Sequence, residues 1–234
     1  MTATFDFTDR VAVVTGSCGA LGSAVTEAFV EAGATVAACD IVDIDGEDSL
    51  LEPQDGISFY QADFTDESAV ESTIQQVVED HGRIDFLLNI AGTWRGGDPI
   101  EETELGQFDM LFDVNLKTMF LASKHALPAI QETEGAIVSV SARSGLEGGE
   151  GDGLYRSTKA SVKILTETIA EENPGTVRAN CVLPSVLDTP MNREMMTPSD
   201  EWVEPREVAH VMQFLCSDAA AVTSGAAVPV YGEA

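Results

Sequence analysis

Val11-Ala12-Val13-Val14-Thr15-Gly16-Ser17-Cys18-Gly19-Ala20-Leu21-Gly22 is the stretch whose reading decides the fold. Its apolar opening predicts a buried strand, its spaced glycines a tight turn, and Ala24 to Ala32 beyond them carries helical periodicity. Strand, glycine turn and helix in that order are the setting in which a dinucleotide pyrophosphate is cradled. Glycines let the backbone approach the ligand, and the helix N-terminus offers free N–H groups at the positive end of its dipole. Gly16, Ser17, Gly19, Leu21 and Gly22 are therefore candidate cofactor contacts. The next apolar run, Thr35-Val36-Ala37-Ala38-Cys39, ends in Asp40, about 20 residues on, where an acid bonds ribose hydroxyls. An acid there repels a 2′-phosphate, and neither Ser17 nor Cys18 is basic, so the expected cofactor is NAD rather than NADP.

Tyr155-Arg156-Ser157-Thr158-Lys159 places a phenol and an ammonium one helical turn apart, on one face. A phenol of pKa near 10 is a poor acid or base at neutral pH, and a neighbouring ammonium favours its ionised form. Tyr155 and Lys159 are the candidate proton-transfer pair, and both are also candidate cofactor contacts.

With these motifs in order, the chain resembles the short-chain dehydrogenase/reductase family over nearly its whole length. The resemblance extends to Asp63 after the third strand, where the family contacts adenine, and to Asn89-Ile90-Ala91-Gly92 after the fourth. It also covers Asn115, which in the family helps carry a water-linked proton path to the lysine. Pro184, Val186 and Thr189 lie in the segment that caps the nicotinamide, with Thr189 on its carboxamide. The resemblance implies cofactor roles for Asp63, Asn89, Ala91, Gly92, Pro184, Val186 and Thr189, and a catalytic role for Asn115. It also implies a homodimer or homotetramer built on helices near 104–128 and 155–173.

Two departures stand out. The middle glycine is Gly19, with Ala20 where single-domain members of the family commonly have it. The position of the family's substrate-orienting serine, thirteen residues before the tyrosine, is Ala142, flanked by Ser141 and Ser144. On a strand Ser141 points away from the face of Ala142, and a bulge or turn is needed to re-aim either serine. Ser141 is kept as the catalytic candidate. A Tyr/Lys pair without that serine, together with Leu187-Asp188-Thr189-Pro190-Met191-Asn192-Arg193, is similar to the dihydropteridine reductase branch.

The 234 residues, 44% hydrophobic, suffice for one core, so residues 1–234 are expected to form one domain. Forty acids against twelve bases give a formal charge of −28, spread along the chain. Such a charge repels nucleic acid and anionic membrane. With few lysines it fits a halophilic enzyme, since at about 1 M salt the Debye length is only roughly 3 Å and self-repulsion is screened. Cys39 and Cys181 lie in apolar runs and read as core thiols. Cys18 lies in the phosphate turn, where a thiol can be accessible, and reads as a spacer. Neither cysteines nor histidines show metal-ligand spacing, so no metal is expected. With no signal peptide or membrane-length apolar run, a cytoplasmic location is expected.

Strands are predicted near 11–15, 35–39, 57–61, 84–88, 136–140, 177–183 and 228–230, alternating with helices. Their near-continuous apolar character predicts an α/β Rossmann-type fold, a doubly wound parallel sheet with helices on both faces. The glycine-rich 147–153 reads either as a flexible lip or as a mobile surface connection. A substrate lid is expected within 186–204, and Trp94, Arg95 and Arg143 are further pocket candidates. The expected activity is hydride transfer between NAD(H) and a carbonyl, alcohol or carbonyl-like small molecule. The alternatives are a quinonoid dihydropteridine reductase-like enzyme and a non-catalytic NAD-binding regulator.

Overall fold

The computed structural model describes residues 4–232. Seven parallel strands form one sheet: β1 Val11–Thr15, β2 Thr35–Asp40, β3 Ile57–Gln61, β4 Phe86–Asn89, β5 Ala136–Val140, β6 Arg178–Pro184 and β7 Ala227–Val230. Their order is β3-β2-β1-β4-β5-β6-β7, so the chain reverses direction across the sheet between β1 and β4. A ligand crevice opens at the carboxyl ends of strands where that reversal occurs. The Gly16–Gly22 turn leaves β1 there, and Ile90-Ala91-Gly92 leaves β4 beside it.

Helices cover both faces because alternate strand residues point to opposite sides. Ala12, Val14, Ala38, Leu88 and Val138 pack with α1 (Ala20–Glu31) and α7 (Pro205–Cys216), whose Val25, Phe29, Met212 and Leu215 are buried. Val11, Val13, Ala37, Leu87 and Ile137 pack with α2 (Glu67–His81), α4 (Thr118–Thr133) and α5 (Gly153–Glu172). Cys39 lies in this second cluster, and Cys181 is buried within β6.

One predicted helix divides. Over 104–128 the chain forms α3 (Leu105–Phe112), a π-helical turn over Asp113–Lys117, and then α4, which runs on through Pro128 to Thr133. Burial of Ala126 and Ile130 outweighs the proline's preference to end a helix. A π-turn inserts a residue and re-aims the side chains around it, and here it carries Asn115. The segment after β6 leaves and rejoins the body at one point, where Leu187 bridges Val203 and Asp188 N–H donates to Val203 O. Between them lies α6 (Pro190–Met195), with Met191, Met195 and Met196 exposed. No helix among the described residues is long and apolar enough to cross a membrane.

Candidate active site

Chain-on-chain contact requires two of the turn glycines. Gly16 sits at φ +68°, and a Cβ there would lie 2.8 Å from Ala91 Cα. A Cβ at Gly22 would lie 1.9 Å from Gly16 O. Gly19 is different: its Cβ would meet only Gly16 O, at 3.6 Å, so the absent side chain leaves open space before α1. No side chain caps that helix and no acid occupies its first turn, which leaves its N–H groups and positive dipole end free for an anion. With the middle glycine at position 19, the turn stays open in front of α1. Ser17 is fully buried with its hydroxyl unpartnered, and Leu21 is buried.

Asp40 ends β2 beside this turn. Its carboxylate accepts from Cys18 N–H at 2.8 Å and from Val42 N–H at 3.0 Å, which fixes its orientation. Cys18 itself is buried rather than accessible, because Leu50 N–H bonds its carbonyl and draws the following loop over it. Thr15 Oγ1 accepts from Ile90 N–H and Ala91 N–H at 3.1 and 3.2 Å, joining the two turns at the switch point. One oxygen of Asp63 closes its own turn onto Thr65, at 2.8 Å to N and 2.7 Å to Oγ1.

Three elements converge at Gly92, where a Cβ would stand 3.1 Å from Asn115 Oδ1 and 3.2 Å from Lys159 Nζ. Lys159 is buried, donates to Val140 O at 3.0 Å and lies 5.9 Å from the centre of the Tyr155 ring. Burial pushes its pKa down to about 8. The Tyr155 phenol moves the other way: burial, with Asp152 adding to it, pushes it up to about 12. The expected lowering by Lys159 does not appear in this geometry, since desolvation acts on both groups and the ammonium is held on Val140 O. Both ends of the Asn115 amide are committed, Oδ1 accepting from Thr93 N–H at 2.6 Å and Nδ2 donating to Thr158 Oγ1 at 3.1 Å.

The remaining candidates are placed as follows. Ser141 is buried and donates its hydroxyl to Lys159 O at 2.7 Å, so it ties β5 to α5 instead of facing the cleft. The strand is not bulged, and the alternation that turned Ser141 away from Ala142 holds. Asn89 donates from Nδ2 to Ser123 and Ser139, both at 3.2 Å, inside the layer under α4. Its Nδ2 thus ties strand to helix, while its buried Oδ1 has no partner among the described residues. Pro184 is buried at the end of β6, Val186 is exposed, and Thr189 caps α6 by accepting from Asn192 N–H at 3.2 Å.

The glycine-rich lip is organised by a residue the sequence did not single out. Arg156 donates to the carbonyls of Ser144, Glu147 and Gly148 and pairs with Asp152 at 2.5 Å. A Cβ at Gly149 would strike its guanidinium, 2.2 Å from Cζ. The lip is thus wrapped on a cation and joined to the opposite loop through Gly97 N–H on Gly151 O, at 2.7 Å. Trp94, Gly97, Glu150, Gly151 and Asp152 line a groove of about 370 Å³ between them. Arg143 stacks on Tyr231, 4.8 Å from its ring centre. Arg95 is exposed.

Residues 16–232 match the family model described as enoyl-(acyl carrier protein) reductase. The chain is 32% identical to 3-oxoacyl-(acyl-carrier-protein) reductase of Thermotoga maritima, with 95% of this chain and 96% of that protein covered. It is 35% identical to meso-2,3-butanediol dehydrogenase of Serratia marcescens, covering 97% and 95%. A short-chain dehydrogenase/reductase of Brucella melitensis, titled glucose/ribitol dehydrogenase, superposes with a TM-score of 0.90 at 29% identity over 98% of each chain. An uncapped helix behind a glycine turn, a half-buried Tyr155 beside the buried Lys159 and full-length likeness to oxidoreductases of this kind agree: the chain belongs to the short-chain dehydrogenase/reductase family.

Proposed function

We propose that this oxidoreductase is NAD(H)-dependent and moves hydride between the nicotinamide and a carbonyl, alcohol or carbonyl-like carbon of a small molecule. The observation that carries the reading is the convergence of Lys159 and Asn115 on Gly92, at the carboxyl edge of the sheet and beside Tyr155. The open space at Gly19 and the uncapped α1 fit a pyrophosphate, and the oriented Asp40 carboxylate fits ribose hydroxyls. Gly16, Ser17, Leu21, Gly22, Asp63, Ala91 and Gly92 would line the adenosine and pyrophosphate path. Pro184, Val186 and Thr189 would close over the nicotinamide, with residues 186–204 as the lid, and the backbone at Asn89 would border it.

A bound nicotinamide supplies or accepts the hydride. Tyr155 gives the balancing proton to the substrate oxygen, or takes it back in the reverse direction. Burial keeps the phenol proton-loaded at neutral pH, which favours reduction. Lys159 would hold the ribose of a bound dinucleotide and supplies positive charge beside the ring, while Asn115 fixes the loop and helix around them. Asp40→Ala is expected to narrow the preference for NAD over NADP by roughly 10-fold or more, the scale of one charge-assisted contact. Paired cofactor kinetics test this, and a wild type that already prefers NADP overturns the NAD reading.

The position of the family's substrate-orienting serine bears on the choice of substrate. Ala142 offers no hydroxyl, and Ser141 has spent its own on Lys159 O. That supports a second reading, a quinonoid dihydropterin or imine reductase with Tyr155 as sole acid. The lip carries Glu147, Glu150 and Asp152, and Arg156 is consumed inside it, which disfavours phosphate-bearing thioesters relative to free uncharged substrates. Exposed Phe120 on α4 and Ile164 on α5 support a homodimer or homotetramer, and the −28 charge supports a salt-rich cytoplasm.

The test follows NADH oxidation in about 1 M or more KCl, where charge repulsion is screened. Quinonoid dihydropterin, simple ketones, a vicinal diketone and an acyl thioester are compared. Ketone or diketone turnover supports the first reading, and dihydropterin turnover alone supports the second. NADH binding without turnover of any of them favours a regulator instead.

A further inference from the structure

Lys159 is one of two residues on α5 that reach other elements through a buried polar side chain near Tyr155; Thr158 is the other. Thr158 is fully buried, and its hydroxyl has both capacities in use. It accepts from Asn115 Nδ2 at 3.1 Å and donates to Tyr155 O at 2.7 Å. Asn115 in turn accepts from Thr93 N–H at 2.6 Å, one residue past Gly92. A continuous chain of hydrogen bonds therefore runs from the loop after β4, through the π-turn, to the backbone of the tyrosine itself.

We infer that Thr158 is a positioning residue for the proton-transfer step, transmitting the location of Asn115 to the α5 turn that presents Tyr155. The inference rests on the proposed catalytic role of Tyr155. Its physical basis is that both termini of the link are rigid. The π-turn is fixed by its own helix ladder, and α5 is pinned by Ser141 on Lys159 O and by Lys159 Nζ on Val140 O. Ser157, on the next position, spends its hydroxyl on Gly153 O within the helix and faces solvent, so it makes no such connection. A hydroxyl at 158 is required because only a group that donates and accepts at once completes the link. Valine fits the space and breaks it, leaving the Asn115 amide without an acceptor in a buried site.

The experiment compares Thr158→Val with Thr158→Ser in the full-length protein. The valine variant is expected to lower kcat roughly 10-fold or more, since small displacements of a reacting group carry penalties of that size. Its KM for the dinucleotide should stay within about twofold, and serine should restore most of kcat. Independently of any substrate, ultraviolet difference titration against Tyr155→Phe isolates the Tyr155 phenol from Tyr60 and Tyr231. In Thr158→Val its midpoint should fall from about 12 toward the ordinary phenol value, as the loosened turn admits water. If the valine variant does not fold, Thr158→Ala takes its place in both measurements. Unchanged kcat with an unchanged phenol midpoint overturns the inference, as does a serine variant no better than valine. Full activity of Tyr155→Phe would instead overturn the catalytic reading on which it rests.

Discussion

Tyr155→Phe is expected to reduce turnover at least about 100-fold, the lower end of what a positioned general acid contributes. Phenylalanine keeps the ring, its packing in the cleft and its place one turn before Lys159, and removes only the oxygen that carries the proton. The KM for the dinucleotide should therefore change little while kcat falls. The pH profile checks the same assignment. With the phenol held near 12 it remains a proton donor through neutrality, whereas Lys159, pushed down to about 8 by burial, loses its charge first. Reductive turnover of the wild type should decline as the pH rises through about 8 and not as it rises from 6 to 7, where no member of the pair titrates. Steady-state kinetics of both proteins across that range provide the measurement. A phenylalanine variant with wild-type kcat would remove Tyr155 from the mechanism.

The largest effect on stability is expected at Asp85, far from the crevice and at the opposite edge of the sheet. It is the one fully buried carboxylate among the described residues. Arg10 Nη1 bonds it at 2.8 Å, Arg83 bonds it twice, at 2.8 and 2.6 Å, and Val11 N–H donates to it at 2.9 Å. Its backbone also bonds Val11 O and Ala136 N–H, so a single residue joins β1, β4 and β5 at their entry points. Asp85→Asn turns one acceptor oxygen into a donor facing the guanidinium groups and should cost about 3 kcal/mol, at the lower end for breaking a buried pair because both arginines reach solvent.

The pH dependence has a definite sign. Burial alone would raise the Asp85 pKa, but the two arginines and the Val11 N–H outweigh it and hold the carboxyl below its ordinary range. A depressed carboxyl pKa contributes stability that is present above the unfolded value of about 3.9 and lost as the pH falls through the folded one. The wild type should therefore lose stability in acid more steeply than Asp85→Asn, and the two denaturation midpoints should converge there. Denaturant unfolding at neutral pH and below pH 4, at fixed high salt, tests this. A neutral-pH difference under about 1 kcal/mol would mean that the clamp is replaceable.

What could be read from the chain alone was whatever depends on near neighbours. The apolar strands around Val13, Ala37 and Val138, the glycine turn at Gly16–Gly22 and the Tyr155/Lys159 spacing follow from alternation, the helical repeat and a positive φ. These local rules place the parallel sheet and the crevice at the β1 and β4 turns, because the order of elements leaves few topologies.

Tertiary structure decided the rest, because it hinges on partners distant in sequence. Ser141 meets Lys159 O 18 residues away, and Asn89 meets Ser139 at a separation of 50. Neither spacing reveals that the Ser141 hydroxyl and the Asn89 Nδ2 are bonded in the interior. The Tyr155 phenol shifts upward because its burial in the fold desolvates it, with Asp152 adding to the effect, and pairwise spacing to Lys159 does not contain either. The π-turn at Asn115 and the carbonyl shell around Arg156 likewise form only when the loops meet. Sequence determined which groups are present and in what order; burial determined which of them remain free to react.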